Sequence, residues 1–128
     1  MEPKLKVLLV EDSRLFRQVF KQLLRTRFPS LEIHEASNGE EALAVTDQIA
    51  PSLIFMDIRL PDANGLELAQ EIKARHPRII MIILTGYDSE YREAAGRNAD
   101  HFLSKRSTSA EVFSLIENVM KQMEATVP

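Results

Sequence analysis

Leu53-Ile54-Phe55-Met56-Asp57 is a run of four apolar residues that stops on a carboxylate, and Ile58-Arg59-Leu60-Pro61 then leads through Asn64 into a helical pattern at Gly65. An unbroken apolar run this short suits a strand buried on both faces, where neither side alternates with water. Val7-Leu8-Leu9-Val10 and Ile79-Ile80-Met81-Ile82-Ile83-Leu84 share that character and are rich in branched residues. Leu31-Glu32-Ile33-His34-Glu35-Ala36 alternates, and His101-Phe102-Leu103 is short, as expected of strands nearer a sheet edge.

Helical patterns lie between these runs. Phe16, Val19, Phe20, Leu23 and Leu24 recur at helical spacing, with Arg14, Arg17, Lys21 and Arg25 expected on the other face and Pro29 as the stop. A second helix opens at Asn38, a good N-cap, with Glu40 and Glu41 in the first turn where the helix dipole favours negative charge. A third runs from about Gly65 to His76 with Leu66, Ala69 and Ile72 inward, and Pro77 stops it. A weaker pattern covers Ser89 to Arg97, with Asn98 in the left-handed C-terminal position. The last starts at Thr108 and Glu111 in capping-box spacing and continues through Val112, Leu115, Ile116, Val119 and Met120.

The order is strand then helix, repeated. Such units form a parallel sheet covered on both faces through right-handed crossovers. A closed eight-stranded barrel needs about 250 residues, and the chain has 128. The expected fold is therefore α/β: a flavodoxin-like open parallel five-stranded sheet in the order 2-1-3-4-5 with helices on both faces. Composition agrees with one compact domain over residues 1–128, at 45% hydrophobic and 27% charged residues with no internal linker. The absence of Cys excludes thiolate metal sites, cysteine nucleophiles and disulfides. A formal net charge of −3 offers no basic field for a phosphate backbone, so no direct nucleic-acid binding by this domain is expected. No apolar stretch approaches the roughly 20 residues of a membrane span, and the start lacks the core of a signal peptide, so no membrane association and a cytoplasmic location are expected.

Parallel strands bring their carboxyl ends to one edge, and here those ends carry polar residues. Glu11 and Asp12 come after the first run, Asp57 after the third and Thr85 after the fourth, and Lys105 closes the fifth. Carboxylates brought together repel, so one stays protonated or a cation joins them. Mg²⁺ suits such an oxygen site. Asp12 and Asp57 are the expected direct ligands, with Glu11 holding a metal-bound water and the backbone carbonyl of Arg59 completing the shell. A carboxylate beside a metal can also be a nucleophile for phosphoryl groups, and Asp57 at the end of the central strand is the candidate. Lys105 and Thr85 would then bind the phosphoryl oxygens.

With these motifs in order, the chain resembles the receiver (CheY-like) domain of bacterial two-component response regulators along nearly its whole length. The resemblance rests on Val10-Glu11-Asp12-Ser13, on Met56-Asp57-Ile58-Arg59-Leu60-Pro61 running to Asn64-Gly65, on Leu84-Thr85-Gly86, and on Phe102-Leu103-Ser104-Lys105. It implies that Glu11 and Asp12 are the acidic pair for Mg²⁺, Asp57 the phosphorylation site, Thr85 the switch hydroxyl, Phe102 the switch aromatic and Lys105 the phosphate-contacting lysine. Arg59 and Tyr87, two residues after the phosphoacceptor and the switch threonine, are expected to shield the acyl phosphate and lengthen its lifetime. The implied donor is a sensor histidine kinase or a histidine phosphotransfer protein. Three departures stand out: Arg106 replaces the proline that often comes after the lysine, with a trans peptide expected before it; Phe102 has no hydroxyl; and Asn98 stands where many relatives have Gly.

The expected role is a phosphorylation-activated switch in a phosphorelay, with slow self-catalysed chemistry rather than enzymatic turnover. Its output is either an unknown downstream protein or a fused output domain, the latter making the chain the receiver portion of a DNA-binding transcriptional regulator whose C-terminal helix-turn-helix domain is absent. The oligomeric expectation is a monomer or a phosphorylation-dependent dimer, and Arg14 and Arg17 on the first helix are the expected kinase-docking face. A competing class is a small metal-dependent aspartyl phosphatase, which would need a general acid where Arg59 stands. A flavin or nucleotide site would need a glycine-rich cradle where Glu11-Asp12-Ser13-Arg14-Leu15 offers negative charge instead. Phe16, Phe20, Phe28, Phe55 and Phe113 read as packing, Tyr91, Arg92 and Arg97 as a partner surface or a solvated face, and His34, His76 and His101 carry no assigned role.

Overall fold

The computed structural model describes residues 5–86 and 99–125. The helix expected over 89–97, together with Tyr87, Tyr91, Arg92, Arg97 and Asn98, lies outside them. In chain order the elements are β1 (Lys6–Val10), α1 (Arg14–Arg27), β2 (Glu32–Ala36), α2 (Gly39–Ile49), β3 (Leu53–Asp57), α3 (Gly65–Arg75), β4 (Ile80–Thr85), β5 (His101–Ser104) and α4 (Ser109–Ala125). The strands form one sheet in the order β2-β1-β3-β4-β5, and every neighbouring pair is parallel. This is the expected doubly wound topology, with the two alternating or short strands at its edges.

Alternation along each strand divides the core into two layers. Leu8, Val10, Ile54, Met56, Met81 and Ile83 pack with Ala42 of α2 and Leu66, Leu68, Ala69 and Ile72 of α3. Val7, Leu9, Leu53, Phe55, Ile82 and Leu84 pack on the other face with Phe20 and Leu24 of α1 and Val112, Ile116 and Val119 of α4. Both sides of the central strands are thus dry, which is why their sequences read as continuous apolar runs. Each fully buried side chain of this size contributes roughly 1.5–3 kcal/mol of transfer free energy.

Caps fix where the helices begin. Ser13 Oγ accepts from Phe16 N–H, Asn38 Oδ1 from Glu41 N–H, and Asn64 Oδ1 from Leu66 and Glu67 N–H. Before α4, Thr108 and Glu111 exchange side chain to backbone bonds at 3.0 and 3.2 Å, completing the expected capping box. The Lys105-Arg106 peptide is trans.

The reading of α1 needs one correction. Its buried stripe is centred on Phe16, Phe20, Leu23 and Leu24, so Arg17 and Val19 fall on opposite flanks of it. Val19 is 61% exposed rather than inward, and Leu15 beside it is 72% exposed. Arg17, expected on the solvent face, lies on the flank that meets β2, with its side chain only 16% exposed.

Candidate functional site

At the carboxyl edge of the sheet, β1 runs into Glu11, which is 1% exposed despite being a carboxylate. Its N–H donates to the Ala36 carbonyl at the end of β2 (3.0 Å), and its own carbonyl accepts from Arg17 Nη1 at 2.6 Å. Its side chain turns inward, where Oε1 accepts from Ser13 N–H (3.1 Å) and Oε2 meets Lys105 Nζ at 2.7 Å. Asp12, the next residue, is exposed. Asp57 ends β3 in the middle of the sheet and is 5% exposed, with Oδ2 at 3.3 Å from the same Lys105 Nζ. Lys105 comes just after β5, and its N–H donates to the Thr85 carbonyl at the end of β4 (2.8 Å). Topology alone thus gathers residues that are far apart in the chain.

Carboxylate oxygens of Glu11, Asp12 and Asp57 lie within 4.8 Å of one another, with one ammonium among them. Burial pushes the Glu11 carboxyl up to about 7, and the charge of Asp57 adds to it, while Lys105 and the Ser13 N–H oppose the rise. Burial also pulls at the Lys105 ammonium, but Glu11 and Asp57 outweigh that effect and hold its pKa above the usual lysine value. Negative charge in the site therefore exceeds positive charge. An oxygen-only donor set with that imbalance fits a hard divalent cation of the Mg²⁺ type.

The loop from β3 to α3 is drawn tight against Asp57. Gly65 N–H donates to the Ile58 carbonyl (2.7 Å), and Arg59 and Asn64 face each other in an antiparallel bridge. A Cβ at Gly65 would stand 1.9 Å from the Asp57 carbonyl oxygen, so only glycine fits there. Arg59 N–H points back to Asp57 Oδ1 at 3.3 Å. Asp62 clips the same loop to the start of α2, its two oxygens accepting from Gly39 and Glu40 N–H at 2.7 and 3.0 Å.

Of the residues singled out from sequence, Glu11, Asp12, Asp57 and Lys105 come together, and Arg59 borders them. Thr85 is completely buried at the end of β4, and its Oγ1 has no hydrogen-bond partner among the described residues. Phe102 is half-buried and packs against the core layer that carries α3. Tyr87 lies outside the described residues. His34, His76 and His101 pair with Glu32, Asp47 and Gln122 and stay apart from the site. A cleft of about 590 Å³ lies at the opposite, amino edge of the sheet, between Pro51, Pro77, Ile79 and Met123, and contains none of the predicted residues.

Two side chains acquire site contacts that the sequence reading did not assign. Phe16, read as packing only, stacks on Phe20 and places its ring centroid 5.1 Å from Lys105 Nζ, a cation–π contact. Arg17, read as a docking residue, is tied to the Glu11 carbonyl and to Glu35. The signal for both was their place in the first turn after Ser13, since helical side chains lean toward the N-terminus and so toward the loop that carries Glu11 and Asp12.

The chain also matches known proteins. The response regulator receiver domain pattern covers residues 7–117. The transcriptional regulatory protein YdfI of Bacillus subtilis is 33% identical over 118 residues, which is 91% of this chain and 55% of that protein. The chemotaxis protein CheY of Halobacterium salinarum is 32% identical over 117 residues, covering 90% of this chain and 96% of CheY. Among solved structures, the REC domain of AraT, a response regulator from Geobacillus stearothermophilus, superposes with a TM-score of 0.86 at 27% identity, covering 96% of this chain and 98% of that one. The chain thus spans about half the length of YdfI and nearly all of CheY. From strand-end residues to whole-chain similarity, every comparison leads to one family: this chain belongs to the response regulator receiver domains.

Proposed function

We propose that the domain accepts a phosphoryl group on Asp57 from a phosphohistidine of a sensor histidine kinase or phosphotransfer protein. An Asp57 oxygen forms the new P–O bond as the donor's P–N bond breaks, its electron pair returning to the imidazole. The observation that carries this reading is a nearly buried Asp57 at the end of the central strand, 3.3 Å from the Lys105 ammonium and beside two further carboxylates. Lys105 is placed to hold the transferred phosphoryl oxygens. The unpartnered Thr85 hydroxyl, a buried group that costs about 1–3 kcal/mol when unsatisfied, would gain a partner in such an oxygen. Thr85 and Phe102 then serve as switch residues, with Phe102 responding through packing alone.

Glu11, Asp12, Asp57 and the Arg59 carbonyl would hold Mg²⁺, which when bound neutralises charge on the transferring phosphoryl group. Glu11 would contribute from outside the direct ligands, since Lys105 Nζ already stands 2.7 Å from its Oε2. The domain works as a cytoplasmic switch rather than as a turnover enzyme, because a phosphatase would need a general acid and Arg59 supplies none. Arg14 with the exposed Leu15 and Val19 is the docking face we propose for the kinase, in place of Arg17. A second reading of the output is favoured by the similarity to YdfI, named as a transcriptional regulatory protein: the receiver would drive a fused DNA-binding domain.

The test is intact mass after incubation with a small acyl-phosphate donor. One phosphoryl group is expected with Mg²⁺, and none in the chelated sample or in Asp57→Asn. Equal labelling of Asp57→Asn would refute the assignment. Chasing the labelled protein into donor-free buffer also tests Arg59, whose Arg59→Ala variant is expected to lose phosphate several times faster; an unchanged decay would remove the shielding role.

A further inference from the structure

The Asp12 carboxylate is exposed and, among the described residues, makes no hydrogen bond of its own. Where it stands depends on the backbone that carries it, beginning with the peptide plane that joins it to Glu11. That plane has one strong tether, the 2.6 Å bond from Arg17 Nη1 to the Glu11 carbonyl oxygen. The preceding plane is already fixed by the Glu11 N–H bond to Ala36. The guanidinium is itself anchored, with Nε at 3.2 Å from Glu35 Oε1 and Lys21 Nζ at 2.7 Å from Glu35 Oε2. A rigid planar fork on a helix thus braces the loop that carries two of the three clustered carboxylates.

We infer that Arg17 is a positioning residue that holds the Glu11-Asp12 peptide so that the Asp12 carboxylate is presented to a divalent cation. This rests on the divalent-cation reading of the acidic cluster. Arg17 itself touches neither the cation nor the reacting atoms. Its charge works against its geometry: a guanidinium beside the cluster repels a cation, so a role through charge alone and a role through positioning predict opposite signs.

The experiment is a Mg²⁺ titration of the folded, unphosphorylated protein, monitored by calorimetry or amide chemical shifts, for the parent, Arg17→Ala and Arg17→Lys. Thermal melts establish that each variant is folded at the titration temperature. Positioning predicts that Arg17→Ala binds Mg²⁺ about tenfold more weakly, the lower end of what loss of an outer partner costs a metal site. It also predicts weaker binding by Arg17→Lys, which keeps the charge but loses the fork. Tighter binding by Arg17→Ala, or an unchanged affinity in Arg17→Lys, would overturn the inference, and Arg17→Lys decides alone if Arg17→Ala does not fold. A parent that takes up no Mg²⁺ would instead refute the cation reading itself, which an Asp57→Asn control reports separately.

Discussion

Among the described residues, Glu11 is a carboxylate buried at an electrostatic cost. Its carboxyl, ordinarily near 4.5, is pushed up to about 7, first by burial and then by Asp57. Between those two values the folded chain retains a proton that the unfolded chain has released, so stability falls as pH rises through that window. Below it both states are protonated and the contribution is fully present; above it the contribution is lost. The difference is on the order of 3 kcal/mol. In chelator, urea unfolding of the parent is therefore expected to give a lower stability at pH 8 than at pH 5, and Glu11→Gln is expected to remove most of that difference. The comparison between the two proteins is the readout; identical pH profiles would contradict the account. At this scale the sequence was legible in part. Glu11, Asp12, Asp57 and Lys105 announced themselves by ending apolar runs. Phe16 and Arg17 were less plain, because their place in the first turn of α1 shows only which way they lean, while Lys105 and Glu35, the partners that fix their roles, are distant in sequence.

At the scale of elements, two junctions hold residues of opposite suitability. Gly65 opens α3 where any side chain would meet the Asp57 carbonyl oxygen at 1.9 Å, so Gly65→Ala must move the loop or the strand end. We expect it to lose more than about 2 kcal/mol of stability, within the range for overpacking a tight site, and to slow phosphorylation of Asp57. Ala50, the C-cap of α2, adopts φ 47° in the left-handed region, where a Cβ costs roughly 1–2 kcal/mol. Ala50→Gly is expected to gain a few tenths to about 1 kcal/mol, after the added entropy of the unfolded chain is subtracted. Denaturant midpoints check both; a destabilised Ala50→Gly or a neutral Gly65→Ala would contradict the geometry. The starts of α2 and α4 were legible because Asn38 and the Thr108–Glu111 pair are side-chain signals. The end of α2 was not, because the residue in the left-handed position is an alanine. Asp62 was equally hidden, since its partners, the Gly39 and Glu40 N–H groups, are over twenty positions away.

For the whole molecule, the site is a product of topology. Strand order 2-1-3-4-5 puts β1 and β3 side by side, which sets Glu11 and Asp12 beside Asp57 although more than forty residues separate them. Apolar runs buried on both faces made that order readable, because a chain of this length with alternating strands and helices has few other ways to cover both faces of a sheet. What pattern could not supply was charge balance: only the folded arrangement reveals that one ammonium, Lys105, serves two buried carboxylates and leaves an excess for a cation. The central claim is that, of three neighbouring carboxylates, Asp57 is the one that carries phosphate. Borohydride reduction of the phosphorylated protein tests it directly, because hydride converts an aspartyl acyl phosphate to homoserine with release of phosphate, and peptide mass mapping then locates the altered residue. The account predicts homoserine at position 57 alone; reduction at Glu11 or Asp12, or no reduced residue in a protein that had gained a phosphoryl group, would contradict it.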